Sequence, residues 1–226
     1  MEKTGDETSN VLYVSDASLN LVYKFSTTGT LLAQWGDQGG TTLNEPQGLA
    51  LHNGNLFVAD AGNSRIVEYD GNGNVVATLQ PRDGEFYLFN YPTGLFFDNQ
   101  GNLYVSDNSD KIYRFDTNLT LTGQYDGNGQ LDFPANGCED ASGNIYVANF
   151  NTNQVMKLQQ NGTQVSVWGQ AGTGVGQFSD TWPRSKKPLR TPAARTARTS
   201  PHFSARSPKP RSFNDAGLGP IGPGFA

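Results

Sequence analysis

The sequence predicts an all-β protein assembled from repeated units of four short antiparallel strands. Three observations carry that expectation. A stretch like NLFVADAGNSRIVEYDGNGNVVATLQ, residues 55–80, returns in four copies along the chain. Asp16, Asp60, Asp107 and Asn149 hold the same point of successive copies, 44, 47 and 42 residues apart. Within each copy, short runs of alternating apolar and polar residues are separated by Gly-, Asn- and Asp-rich turns. Units of this length with four strands each are the blades of a β-propeller, so the expected fold is an incomplete propeller of about four blades.

The elements follow in order. The first copy, NVLYVSDASLNLVYKFSTTGTLLAQW at 10–35, opens at the second strand of a unit and has three strands. The next three copies add an inner strand, introduced by a proline in NEPQG, NYPTG and DFPANG. GLALHNG, GLFFDNQG and GCEDASG are those inner strands with the turns that end them. A strand of the YVSD type follows, then a polar turn, an alternating third strand, a D-x-x-G turn and a last strand. Fifteen strands result. Tyr13, Phe57, Tyr104 and Tyr146 recur at one position, as do Val22, Ile66, Ile112 and Val155, and Trp35, Leu79, Tyr125 and Trp168. Such recurrent large side chains belong between neighbouring blades, where burial of each stabilises by roughly 1.5–3 kcal/mol. The repeated Asp and Asn end a strand and open a turn, where they accept backbone N–H groups.

This pattern resembles the NHL repeat, whose units read P-x-G-I-A-V-D, G-N-I-Y-V-A-D, N-x-R-I and F in succession. The closest copy is PQGLALHNGNLFVADAGNSRIVEY, Pro46 to Tyr69, and the resemblance covers residues 10 to about 180. It implies that GLAL-type strands line a central channel and that the last strands form the outer rim. It also implies that the connections before the inner strands share one face with the turns after the YVSD-type strands. The wider superfamily includes gluconolactonase-like proteins and a peptide-amidating lyase, so fold alone does not decide function.

Composition narrows the chemistry. The lyases of the superfamily use several histidines around zinc, and this chain has two, His52 in a strand-end turn and His202. Cys138 aligns with Leu49 and Leu95 of the sister units and is expected to be a small buried residue. No cofactor is expected. The enzymatic alternative is a metal-dependent lactonase- or lyase-like site holding calcium or zinc, for which Glu45, Asn136, Glu139 and Asp140 are the available ligands.

Binding is the primary reading. The units agree at framework positions and differ in their connections, of which QPRDGEFYLFNY is the most unusual. A protein or peptide partner is expected on that face, with Arg65, Arg82, Phe86, Tyr87, Phe89 and Lys111 as the contact surface. Some of the rings must pack beneath the loop. An RNA-binding NHL domain is the second alternative. Residues 1–180 hold 7 basic and 20 acidic side chains, a balance of −13, which disfavours nucleic acid on this region.

The ends differ from the repeats. Residues 1–9 are expected to be disordered, and the propeller to occupy 10–180. Residues 181–226 hold nine basic residues against Asp215 alone, and eight of the twelve prolines. GQFSD at 176–180 announces another inner strand, but TWPRSKKPLR follows. The abrupt loss of phase suggests a frame change or mis-spliced end in the coding sequence, and a genuine basic, proline-rich disordered tail is the other reading. The intact protein is accordingly expected to carry further blades or other domains. No segment is long and apolar enough to span a membrane. The start MEKTGDETSN lacks a signal sequence, which points to the cytoplasm, whereas the sequons at Asn118 and Asn161 fit an extracellular protein with a truncated start.

Overall fold

The computed structural model describes residues 11–36 and 41–178. The expectations for 1–9 and for the tail lie outside the described residues.

Four antiparallel sheets follow one another along the chain, each a meander of sequential strands. Blade 1 contains β1 (Val11–Asp16), β2 (Leu21–Ser26) and β3 (Leu31–Trp35). Blade 2 contains β4 (Pro46–His52), β5 (Asn55–Asp60), β6 (Arg65–Tyr69) and β7 (Val75–Leu79). A two-stranded hairpin of β8 (Arg82–Asp83) and β9 (Phe86–Tyr87) interrupts the connection to blade 3. Blade 3 is β10 (Pro92–Phe97), β11 (Leu103–Asp107), β12 (Lys111–Phe115) and β13 (Leu121–Tyr125). Blade 4 is β14 (Pro134–Glu139), β15 (Ile145–Asn149), β16 (Gln154–Leu158) and β17 (Gln164–Trp168). The blades match the fifteen strands read from the sequence, and the hairpin is additional. Its sequence showed as an odd connection rather than as strands because each arm has two residues.

The core consists of three blade boundaries. Tyr13, Val22 and Trp35 of blade 1 pack on Leu56, Val58, Val67 and Tyr69 of blade 2. Phe57, Ile66 and Leu79 of blade 2 meet Leu103, Val105, Tyr113 and Phe115 of blade 3. Tyr104, Ile112 and Tyr125 of blade 3 meet Ile145, Val147, Met156 and Leu158 of blade 4. Blades 2 and 3 thus bury both faces, because alternate side chains point to opposite neighbours. Tyr146, Val155 and Trp168 hold the corresponding places on the far side of blade 4, where Trp168 is exposed.

The repeated acid does more than close a turn. Asp16 accepts the N–H groups of Ser18 and Leu19, as a turn residue should. Asp60 and Asp107 are fully buried and also accept backbone N–H groups from the connections entering their own blades, Asn44 at 2.6 Å and Asn90 at 2.9 Å. Asn149 receives the Asp132 N–H in the same way at 2.7 Å. An acceptor is all the position requires, so Asp and Asn interchange there.

Cys138 departs from its expected place. The register sets it opposite Tyr146, as Ala50 faces Phe57 and Phe96 faces Tyr104. Counting from the prolines rather than the glycines aligns the strands, so Asn136 falls where Gly48 and Gly94 stand. Cys138 is therefore half-buried on the open side of blade 4, not a counterpart of Leu49 and Leu95.

Candidate functional site

The β8–β9 hairpin is built from its turn outward. Asp83 pairs with Phe86 and Arg82 with Tyr87, leaving Gly84 and Glu85 as the two-residue loop. Gly84 has φ of 63°, the left-handed value that the first position of a type II′ hairpin turn requires. The Leu88 N–H returns to the Pro81 carbonyl at 2.8 Å and closes the base.

One ring anchors the hairpin and two are displayed. Phe89 is 2% exposed and packs edge-on against Tyr113 and Phe115, with centroids at 5.5 and 5.8 Å. It is the ring beneath the loop and belongs to the core, not to the contact surface. Tyr113 adds a tie by donating its hydroxyl hydrogen to the Leu88 carbonyl at 3.2 Å. Phe86 is 79% exposed and Tyr87 47%. The Arg82 guanidinium lies 4.2 Å from the centre of the Tyr87 ring, and its Nη1 donates to the Glu85 carbonyl at 3.0 Å. Cation and ring thus hold one another in a fixed cross-strand pair.

Tyr87 walls a polar cleft of about 530 Å³ against the turn after β5. Its other side is cross-linked. Arg65 Nε donates to Asp60 at 2.6 Å and Nη2 to the Thr42 carbonyl at 3.0 Å. Asn63 Nδ2 reaches Thr42 O and Asp60 Oδ2, while Gln80 Nε2 donates to Asn63 O at 2.8 Å. Arg65 therefore has its guanidinium committed to the fold, and only part of it borders the cleft. Lys111 opens β12 opposite Asp107 and is half-buried. Burial pushes the Asp107 carboxyl up, against the N–H of Asn90, the Ser109 donors and the Lys111 charge, which lower it.

The four residues weighed as cation ligands are not brought together. Glu45 accepts the Tyr91 hydroxyl at 2.6 Å, beside the start of β10. Glu139 accepts the Asn99 N–H at 2.7 Å, just past the end of β10, and Gln160 Nε2 at 2.6 Å. Asp140 closes its turn on Ser142, Asn144 and Tyr146. Asn136 Oδ1 accepts the neighbouring Gly137 N–H. Opposite ends of one inner strand separate Glu45 from Glu139 and Asp140. Among the described residues, no three His, Cys, Asp or Glu side chains group as a metal site.

These features define a propeller-type repeat protein with an aromatic hairpin raised between two blades. Residues 43–69 match the NHL repeat, which places the sequence resemblance on blade 2 and the connection that enters it. A streptogramin B lyase structure superposes with a TM-score of 0.58 at 12% identity, over 71% of this chain and 51% of that one. Virginiamycin B lyase from Staphylococcus aureus gives 0.56 at 13% identity, over 70% and 52%. A protein of unknown function from Bacteroides caccae gives 0.54 at 14% identity, over 73% and 59%. At such identity the likeness is one of fold, and the chain spans about half the length of the lyases it matches. No curated protein matches the sequence.

Proposed function

We propose that this NHL-type propeller is a binding module that recognises a protein or peptide through the face carrying the β8–β9 hairpin. The observation that supports this most is the exposure of Phe86 and Tyr87 on a hairpin whose base is fixed by buried Phe89. Displayed aromatics on a rigid support lose little conformational freedom on binding, and Tyr and Arg are the residue types that dominate interface energetics. The Arg82–Tyr87 pair supplies both, already in contact. Beside it, the cleft offers backbone and amide groups held by their own hydrogen bonds, suited to an extended peptide's polar backbone.

Selection of displayed peptides against the 226-residue chain tests the reading. Peptides selected on the parent chain should lose roughly thirtyfold in affinity on Tyr87→Ala or Arg82→Ala, the fold-change of a hot-spot residue. Phe86→Ala should weaken them too, with circular dichroism unchanged in all three. Selected peptides that bind the three variants as tightly as the parent would overturn it.

A further inference from the structure

Three of the four blades hold a cation over one of their own rings. Tyr13, Phe57, Tyr104 and Tyr146 each face one residue across the strand pair, and those partners are Lys24, Glu68, Arg114 and Lys157. The Lys24 ammonium lies 5.9 Å from the centre of the Tyr13 ring, the Arg114 guanidinium 5.9 Å from that of Tyr104 and the Lys157 ammonium 5.5 Å from that of Tyr146. The negative face of an aromatic ring attracts a cation at such a distance. At the first boundary the cation also ties two blades together, because Lys24 Nζ donates to the Gly71 carbonyl of blade 2 at 2.9 Å. Blade 2 breaks the series with a carboxylate opposite Phe57.

A cleft of about 490 Å³ opens at that place, between blades 2 and 3 at the edge opposite the β8–β9 hairpin. Phe57 and Glu68 contribute to it from blade 2, Asp116 and Thr117 from the last turn of blade 3. Thr117 holds the turn position that Gly71 holds in blade 2. Asn55 Nδ2 donates to Glu68 Oε1 at 2.6 Å and fixes the carboxylate. His52 and Phe97 stack with centroids at 4.2 Å and add an apolar side. The counterparts of His52 are Asp98 and Asp140, whose carboxylates are taken up by their own turns. Blade 2 turns instead through Asn53 and Gly54, both at positive φ, which releases the His52 ring to lie on Phe97. No Lys or Arg lines the cleft, and among the described residues the one ion pair is Arg65 with Asp60. All its walls belong to blades 2 and 3, each of which has a blade on either side.

We propose that this cleft binds an alkylammonium or guanidinium group of a ligand, in the place that Lys24, Arg114 and Lys157 occupy in the sister blades. The charge lies over Phe57 and pairs with Glu68. Its remaining N–H groups reach the Thr117 carbonyl, as Lys24 reaches that of Gly71, and the alkyl stem runs along the apolar side. An uncharged ligand of the same shape would strip water from Glu68 and Asp116 and give them no partner. The site is independent of the recognition proposed for the hairpin.

Calorimetric titration of the full chain reads the outcome. The probes are Nα-acetyl-lysine methylamide, Nα-acetyl-arginine methylamide, the uncharged Nα-acetyl-norleucine methylamide, and butylammonium as a free amine. At least one cationic probe should bind, and the norleucine probe should not. Tighter binding of an amino-acid probe than of butylammonium assigns the cation to a peptide side chain, and the reverse order assigns it to a free amine; each supports the proposal. Glu68→Gln keeps an acceptor for Asn55 and removes the charge, so binding should weaken at least roughly tenfold. Glu68→Lys restores the internal cation of the sister blades and should abolish binding, with urea unfolding showing both variants folded. Failure of every cationic probe to bind would overturn the proposal. So would equal binding of the norleucine probe, or binding that Glu68→Gln leaves unchanged.

Discussion

Asp110 in blade 3 accepts, through Oδ1, the backbone N–H of Phe133, the residue that opens blade 4, at 2.7 Å. Asn20 receives the Glu45 N–H from blade 2 in the same way, also at 2.7 Å. All four residues have left-handed backbones, with φ of 60° at Asn20, 59° at Asp110, 49° at Glu45 and 54° at Phe133. Asn and Asp tolerate that region better than other side-chain-bearing residues, and here the same side chain also supplies the acceptor. Blade 3 is joined to blade 2 differently, through the Tyr91 hydroxyl donated to Glu45.

These latches should separate into two measurable parts. Asp110→Gly keeps the backbone conformation and removes the acceptor, so it should cost about 0.5–1.5 kcal/mol. Asp110→Ala should cost about 1–2 kcal/mol more than that, because alanine is strained at positive φ. Urea denaturation of the two variants, with the same pair at Asn20, gives the comparison.

The hairpin should show opposite behaviour at two rings three residues apart. Phe89→Ala should destabilise by about 3–5 kcal/mol, since it empties a filled core position. Phe86→Ala should stay within about 0.5 kcal/mol of the parent, as exposed substitutions do. Thermal and urea unfolding distinguish them.

Gly94 marks the closest approach between two inner strands. A Cβ there would collide with the Ala135 carbonyl oxygen of blade 4 and with Ser106 Oγ. Gly94→Ala should therefore cost about 1–3 kcal/mol by forcing backbone apart. Gly84→Ala has nothing near the Cβ, so its cost should come from backbone strain at positive φ alone, about 1–2 kcal/mol by the same assay.

Acid should act through Asp140. Burial raises its carboxyl, but the Asn144 and Ser142 N–H groups, the Asn144 side chain and the Tyr146 hydroxyl outweigh that and bring it to about 2. A carboxyl lowered from 3.8 stabilises the fold above 3.8, and that contribution disappears as pH falls towards 2. Asp107 has the opposite sign, because burial raises it and its protonation favours the folded state. Unfolding at stepped pH should thus show Asp140→Ala destabilised near neutrality and converging on the parent near the bottom of that window.

Periodicity made most of the fold legible, because a blade repeats the same strand lengths and the same buried positions. Tyr13, Val22 and Trp35 and their counterparts could be assigned to blade boundaries from spacing alone. The hairpin site was harder to read. FYLFNY announces an unusual connection, but which ring is anchor and which is display depends on Tyr113 and Phe115, more than twenty residues away. Arg65 reads as a surface cation, and only the buried Asp60 beneath it shows that its charge is spent on the fold. The glycine of P-x-G is not the fixed point for Cys138, because the proline, where each inner strand begins, sets the register.

Phe89 fastens the hairpin from below while Arg82, Phe86 and Tyr87 stand clear of the core. Mutations in the displayed positions therefore pass through folding almost unfiltered. The loop between the second and third blades is, in that sense, a cassette. Its contents can be replaced by design, provided the exchange begins after Pro81 and ends before Leu88, which packs on the same core.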